Sequence, residues 1–106
     1  MVEVEKDMRK LAYEIQDYLK ERDYYYDVII YFNGLAISSL WEGEQGRDVS
    51  EYMEYYNEDT ITMSFEGILY QVLNYNVQGY KEFKEFINSK GYYFEMGNAW
   101  NLALYE

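Results

Sequence analysis

Eight carboxylates, Glu42, Glu44, Asp48, Glu51, Glu54, Glu58, Asp59 and Glu66, fall between residues 42 and 66, with one base, Arg47, among them. Paired carboxylates can hydrolyse a glycosidic bond, one as general acid and the other as base or nucleophile. Glu42 with Glu44 and Glu58 with Asp59 are the pairs at hand, but so dense a set makes any pair cheap to find. Nothing else of a catalytic centre accompanies them. The chain has no His and no Cys, so the usual general base, the commonest metal ligand and the thiol nucleophile are all missing. The loop Glu42 to Arg47, EGEQGR, carries two glycines without the Lys and Ser/Thr of a phosphate-binding loop. Asp48 and Glu51 offer oxygens to a Ca²⁺ ion, but the EF-hand spacing with its central glycine is absent. No enzymatic activity, cofactor or metal is expected.

The same residues suit a binding surface. Of a net charge of −11, residues 42 to 66 carry −7, while residues 1 to 22 and 80 to 106 carry −1 each. Asp23 and Asp27 supply the rest. Asp48, Glu51, Glu54 or Tyr55, and Glu58 recur at i, i+3, i+6 and i+10, which on a helix is one stripe opposite Val49, Tyr52, Met53 and Tyr56. Like charges so placed cost an isolated helix a few tenths of a kcal/mol each, a cost that interspersed Lys would have avoided. DNA presents a row of negative charge to the Lys and Arg of its partners. A protein surface with a comparable row would compete for the same basic groove, with fast and salt-sensitive association. The residues expected to meet such a partner are Glu42, Glu44, Asp48, Glu51, Glu54, Tyr55, Glu58 and Asp59, with Tyr52, Tyr55 and Tyr56 adding contact area. Glu51, Glu54 and Glu58 are expected to be exposed, and the segment to form one patch with Asp23 and Asp27. The bland alternative is a solubilising acidic surface. Direct DNA or RNA binding is rejected, because the charge would repel phosphates.

The elements that must position these side chains are legible from periodicity. Val4, Met8, Leu11, Ala12, Ile15, Tyr18 and Leu19 form an apolar stripe that predicts a helix over Glu3 to Arg22. Tyr24 to Phe32 and Leu35 to Trp41 flank Asn33-Gly34, the strongest short hairpin signal. A two-residue loop pairs Phe32 with Leu35, Ile30 with Ile37, Val28 with Ser39 and Tyr26 with Trp41. The opposite face, with Tyr25, Asp27, Tyr31, Ala36 and Ser38, is expected to be wet. Asp48 or Ser50 caps a short helix through Asn57. Thr60 to Phe65, a Glu66-Gly67 turn and Ile68 to Asn74 read as a second hairpin, although the run from Ile68 also fits a helix. A further helix spans Tyr80 to Lys90, with Phe83, Phe86 and Ile87 inward and Gly91 as its stop. Tyr92 to Met96 and Ala99 to Tyr105 form a last hairpin around Gly97-Asn98, and helix–hairpin units then recur about every thirty residues. Trp41 and Trp100, beside these turns, read as core or core edge.

With 106 residues and 49% apolar content, these elements make one α+β domain over residues 1–106: an antiparallel sheet of three hairpins with two or three helices on one face. Its size suffices for a core without disulfide or metal support. No apolar run is long enough to span a membrane. The N-terminus shows no signal peptide, so a cytoplasmic location is expected. Exposed tyrosines and unpaired sheet edges leave room for a homodimer.

The short length, the lack of Cys, His and Pro, and the segment EGEQGRDVSEYMEYYNEDT, Glu42 to Thr60, resemble the small acidic anti-defence proteins of phages and mobile elements. These include anti-CRISPR and anti-restriction proteins, several of which imitate DNA. The resemblance is one of composition and covers no diagnostic motif. It implies an inhibitor in the host bacterial cell that occupies the nucleic-acid groove of a defence nuclease. An anti-restriction protein implies a longer acidic surface than this chain supplies, which favours the anti-CRISPR version and a Cas nuclease as partner. An antitoxin-like module that covers a basic partner shares the same acidic segment.

Overall fold

The computed structural model describes residues 8–106, so the part of the first predicted helix at residues 3 to 7 lies outside it. The chain folds into helix α1 (Met8–Glu21) and strands β1 (Val28–Phe32), β2 (Leu35–Ser38), β3 (Gln45–Gly46) and β4 (Ile61–Phe65). Helices α2 (Ile68–Tyr75) and α3 (Val77–Ser89) and strands β5 (Tyr93–Asn98) and β6 (Asn101–Tyr105) follow. The six strands form one antiparallel sheet in the order β3-β2-β1-β4-β6-β5. The protein is therefore α+β, with consecutive antiparallel pairs at β1–β2, β2–β3 and β5–β6.

Alternation divides the sheet. Val28, Ile30, Phe32, Ile37, Ile61, Met63, Phe65, Leu102 and Leu104 are buried on one face. They pack with Leu11, Ile15 and Leu19 of α1, Leu69 and Leu73 of α2, and Phe83 and Ile87 of α3 in a single core. Each fully buried aliphatic or aromatic side chain of this kind is worth about 1.5–3 kcal/mol. The first hairpin has the expected register, Phe32 with Leu35 and Ile30 with Ile37. Asn33 and Gly34 both sit at positive φ, 50° and 74°, as a tight two-residue turn requires. Its arms are shorter than predicted, and Tyr26 and Trp41 lie beyond them.

Four expectations are corrected. Ile68 to Asn74 is helical, not a strand. Leu69, Val72 and Leu73 bury one face at helical spacing, so Glu66-Gly67 is a strand-to-helix joint and the threefold helix–hairpin recurrence does not exist. The last turn falls at Ala99-Trp100, because Asn98 pairs with Asn101 across an irregularity at Gly97. Helix α3 begins at Val77, a turn before Tyr80, because the Asn76 side chain accepts from the Gly79 N–H at 2.9 Å and caps it there. Finally, only Val49–Glu51 is helical between 48 and 57, as a single 3₁₀ turn.

The outer face of the sheet is not wet either. Tyr31, Ala36 and Ser38 are buried, with Val49, Met53 and Trp41 packed around Tyr31 and Ala36; Asp27 alone of the residues expected there is fully exposed, and Tyr25 is half-buried. The acidic segment itself lies over this face, and that placement defines the candidate site.

Candidate functional site

From Trp41 the chain runs along the edge of β2, where Gln45 and Gly46 pair with Ala36 and Leu35. The Arg47 N–H donates to the Gly34 carbonyl at 3.0 Å, which brings the chain to the Asn33-Gly34 end of the sheet. Residues 48 to 60 then cross the outer face as a strap and enter β4. Three anchors hold it. Val49 is buried against Tyr31 and Ala36. The Tyr55 ring lies over Gly97, where the ring would collide with any Cβ. Asn57 donates through Nδ2 to the Leu104 carbonyl at 2.9 Å, and its own N–H donates to the Thr62 hydroxyl at 2.9 Å. The Thr60 hydroxyl adds a second bond to the Leu104 carbonyl at 2.5 Å.

Over the strap, exposure alternates with period two. Tyr52, Glu54, Tyr56 and Glu58 are exposed; Met53, Tyr55 and Asn57 are half-buried between them. The helical stripe expected for Asp48, Glu51, Glu54 and Glu58 is thus replaced by an irregular chain that turns alternate residues outward. A helix with Val49 and Met53 inward at i and i+4 would turn Tyr55 away from the sheet. Tyr55 faces inward because the chain must also cover β5 and β6.

The strap divides the eight predicted contact residues into groups. Glu51, Glu54, Glu58 and Asp59 are exposed, and among the described residues their carboxylates have no cation within ion-pair distance. Asp48, Glu58 and Asp59 share a cleft of about 370 Å³ with Asn33, Gly34 and Arg47. Asp48 is committed locally: its Oδ1 accepts from the Ser50 hydroxyl at 2.7 Å and from the Ser50 N–H at 3.0 Å. These bonds hold its carboxyl below the usual range.

Glu44 lies apart from the strap, facing α1. Arg9 grips it with two bonds, Nε to Oε2 at 2.8 Å and Nη2 to Oε1 at 3.0 Å, and the Tyr13 hydroxyl donates a third at 3.1 Å. The Arg9 bonds depress its carboxyl pKa, partial burial opposing them. Glu42 is exposed near the far end of β2, where Asp27 and Glu66 also lie, joined by the Glu66 N–H donating to the Asp27 carbonyl at 3.1 Å. That end is separated from Glu58 and Asp59 by the length of β1, about 13 Å at 3.3 Å per residue. The single patch including Asp27 is therefore not formed.

Tyr55 is an internal anchor. The Tyr105 hydroxyl donates to the Tyr55 hydroxyl at 2.7 Å, which donates to Glu95 Oε2 at 3.2 Å. Burial, then these two neighbours, hold its proton on well beyond the ordinary tyrosine range. The tyrosines that stand beside the free carboxylates are Tyr52 and Tyr56, 48% and 37% exposed. Alternation of Met53, Tyr55 and Asn57 was the signal for this arrangement, masked by an equally good helical spacing of Val49, Tyr52, Met53 and Tyr56.

Arg47, the one base of the segment, is half-buried against aromatic rings. Its guanidinium sits 4.5 Å from the Trp41 ring centroid and 4.7 Å from that of Tyr52, where cation–π attraction holds it between rings. No metal-binding group of His, Cys, Asp or Glu occurs among the described residues, and no helix among them is long and apolar enough to cross a membrane. Comparison with protein-family models, curated proteins and solved structures finds no match.

Proposed function

We propose that this protein is a binding protein, not an enzyme, and that its acidic strap occupies the nucleic-acid-binding groove of a basic protein such as a CRISPR nuclease. One observation carries the reading. Glu51, Glu54, Glu58 and Asp59 stand outward on an anchored strap, with no cation within ion-pair distance among the described residues, while Arg47 lies against two rings. Carboxylates that no cation among the described residues pairs with are available to Lys and Arg from outside. Tyr52 and Tyr56 supply rigid, partly apolar contact area at low entropic cost. Without the helical stripe, mimicry rests on this cluster and not on a regular row of charge. Association would be steered by charge and weakened by salt.

The test is inhibition of DNA cleavage by a Cas9-type nuclease and by a restriction enzyme, with wild type beside Glu51→Gln/Glu54→Gln/Glu58→Gln. Inhibition by wild type that falls about tenfold or more in the triple variant, and falls again with added salt, supports the reading and identifies the target class. Inhibition that the triple variant retains in full would overturn the role of the strap. Inhibition of neither nuclease removes both targets.

A further inference from the structure

The end of the sheet opposite the acidic cleft carries a different surface. Sheet register gathers it: Val28 pairs with Phe65, and the Ser39 N–H donates to the Val28 carbonyl at 3.2 Å. Tyr26, which precedes β1, and Leu40, which follows β2, both line the surface at this end. They are 52% and 60% exposed. With Tyr25, Trp41, Asp27 and Glu42 they line a cleft of about 610 Å³.

The chemistry of this cleft is specific. Aromatic faces attract cations, and more strongly where water is excluded. Two carboxylates, both exposed, stand at the same cleft. The chain already uses the aromatic half of this chemistry on itself: Lys20, also in the cleft, lies 5.6 Å from the Tyr25 ring centroid, and Arg47 covers the Trp41 ring. Two carboxylates against one ammonium leave the cleft net negative.

We infer that this aromatic, acid-bearing cleft docks a Lys- or Arg-bearing segment of a protein partner, with an adjoining apolar residue of that segment covering Leu40 and Tyr26. Charge complementarity selects this occupant. A second copy of the chain, itself of net charge −11, would be repelled overall, and a nucleic acid would bring phosphates to Asp27 and Glu42. Exposed apolar side chains beside fixed charge are the usual composition of such a docking site. The inference rests on the reading of the partner as basic, and gives that partner a second point of attachment on the opposite end of the sheet from Glu58 and Asp59.

The experiment titrates the full chain with a short peptide of alternating lysine and leucine, and with the same peptide carrying serine for leucine, following tryptophan fluorescence and heat. Tyr26→Ser/Leu40→Ser is compared with Glu51→Gln/Glu54→Gln/Glu58→Gln. Both altered side chains of the first variant are exposed, so the fold should survive; a melting curve checks this. Trp41→Phe, which keeps Trp100, reports whether the signal comes from the cleft. Saturable binding of the lysine–leucine peptide that weakens about tenfold or more in Tyr26→Ser/Leu40→Ser supports the inference, as does binding that fades when serine replaces leucine. Unchanged affinity in that variant, or no binding by wild type, overturns it. The strap reading is judged separately by the nuclease assay, so either can fail while the other stands.

Discussion

Two residues of the acidic segment show how differently neighbouring charges are used. Glu44 and Glu42 are two positions apart, yet Glu44 is held by Arg9 and Tyr13 while Glu42 stands free. The Glu44 pKa is lowered in the folded protein, chiefly by the Arg9 bonds. A lowered folded value means that its contribution to stability is complete above the ordinary Glu pKa of about 4.3 and is lost as pH falls through the folded value. Glu44→Gln should therefore melt below wild type at neutral pH, and the difference should shrink and vanish on acidification below pH of about 4. Parallel thermal melts across that window measure it; a difference that grows on acidification would assign the effect to another group. The pair is surface-exposed, so the loss will be small.

At the scale of elements, the strap is the unusual feature. It has almost no hydrogen-bonded secondary structure of its own and depends on what lies beneath it: a second small core at Tyr31, Ala36 and Val49, and the Tyr55–Tyr105 contact over β5 and β6. Gly97 marks where the two layers touch, since a Cβ there would meet the Tyr55 ring and the Asn101 side chain. Gly97→Ala should thus cost about 1–3 kcal/mol, the ordinary range for forcing an extra methyl into packed surroundings. It should lift the strap at its β5 end without disrupting the helix-side core. Melting temperature reads the first effect. Amide exchange at Asn57 and Thr60 reads the second, since the Asn57 N–H donates to the Thr62 hydroxyl and the Thr60 N–H to the Asn57 carbonyl at that end of the strap; exchange there unchanged from wild type would show that Tyr55 is not the anchor.

For the molecule as a whole, a net charge of −11 is a repulsive load that folding accepts. Were the strap acids merely structural, their neutralisation would destabilise the fold. Because Glu51, Glu54 and Glu58 pair with no cation among the described residues, Glu51→Gln/Glu54→Gln/Glu58→Gln should melt at or above the wild-type temperature. Added salt should raise the wild-type melting temperature more than that of the variant, because screening relieves repulsion that the variant has already lost. A variant that melts clearly lower would reassign these carboxylates to holding the strap. Together with loss of inhibition, a stable triple variant would separate binding from folding.

Periodicity and turn chemistry in the amino-acid sequence determined the α+β class, the Asn33-Gly34 hairpin and its register, the core side of α1 and α3, and the concentration of acid between 42 and 66. Those signals are local: a helical stripe, a dipeptide that accepts positive φ, a count of charges. Tertiary structure alone decided three other matters. Ile68 to Tyr75 is helical because its buried face completes the core over the sheet, which short-range pattern does not settle. Residues 48 to 60 are a strap because Tyr31 and Ala36 are covered by Val49 and Met53, and the chain supplying that cover also reaches β5 through Tyr55. The acidic residues then divided between two ends of the sheet and the α1 side, since their neighbours in space, Arg9, Asn33 and Asp27, are far from them in the chain. Long-range contacts carry no periodicity, and so the location of each carboxylate could be read only from the folded molecule.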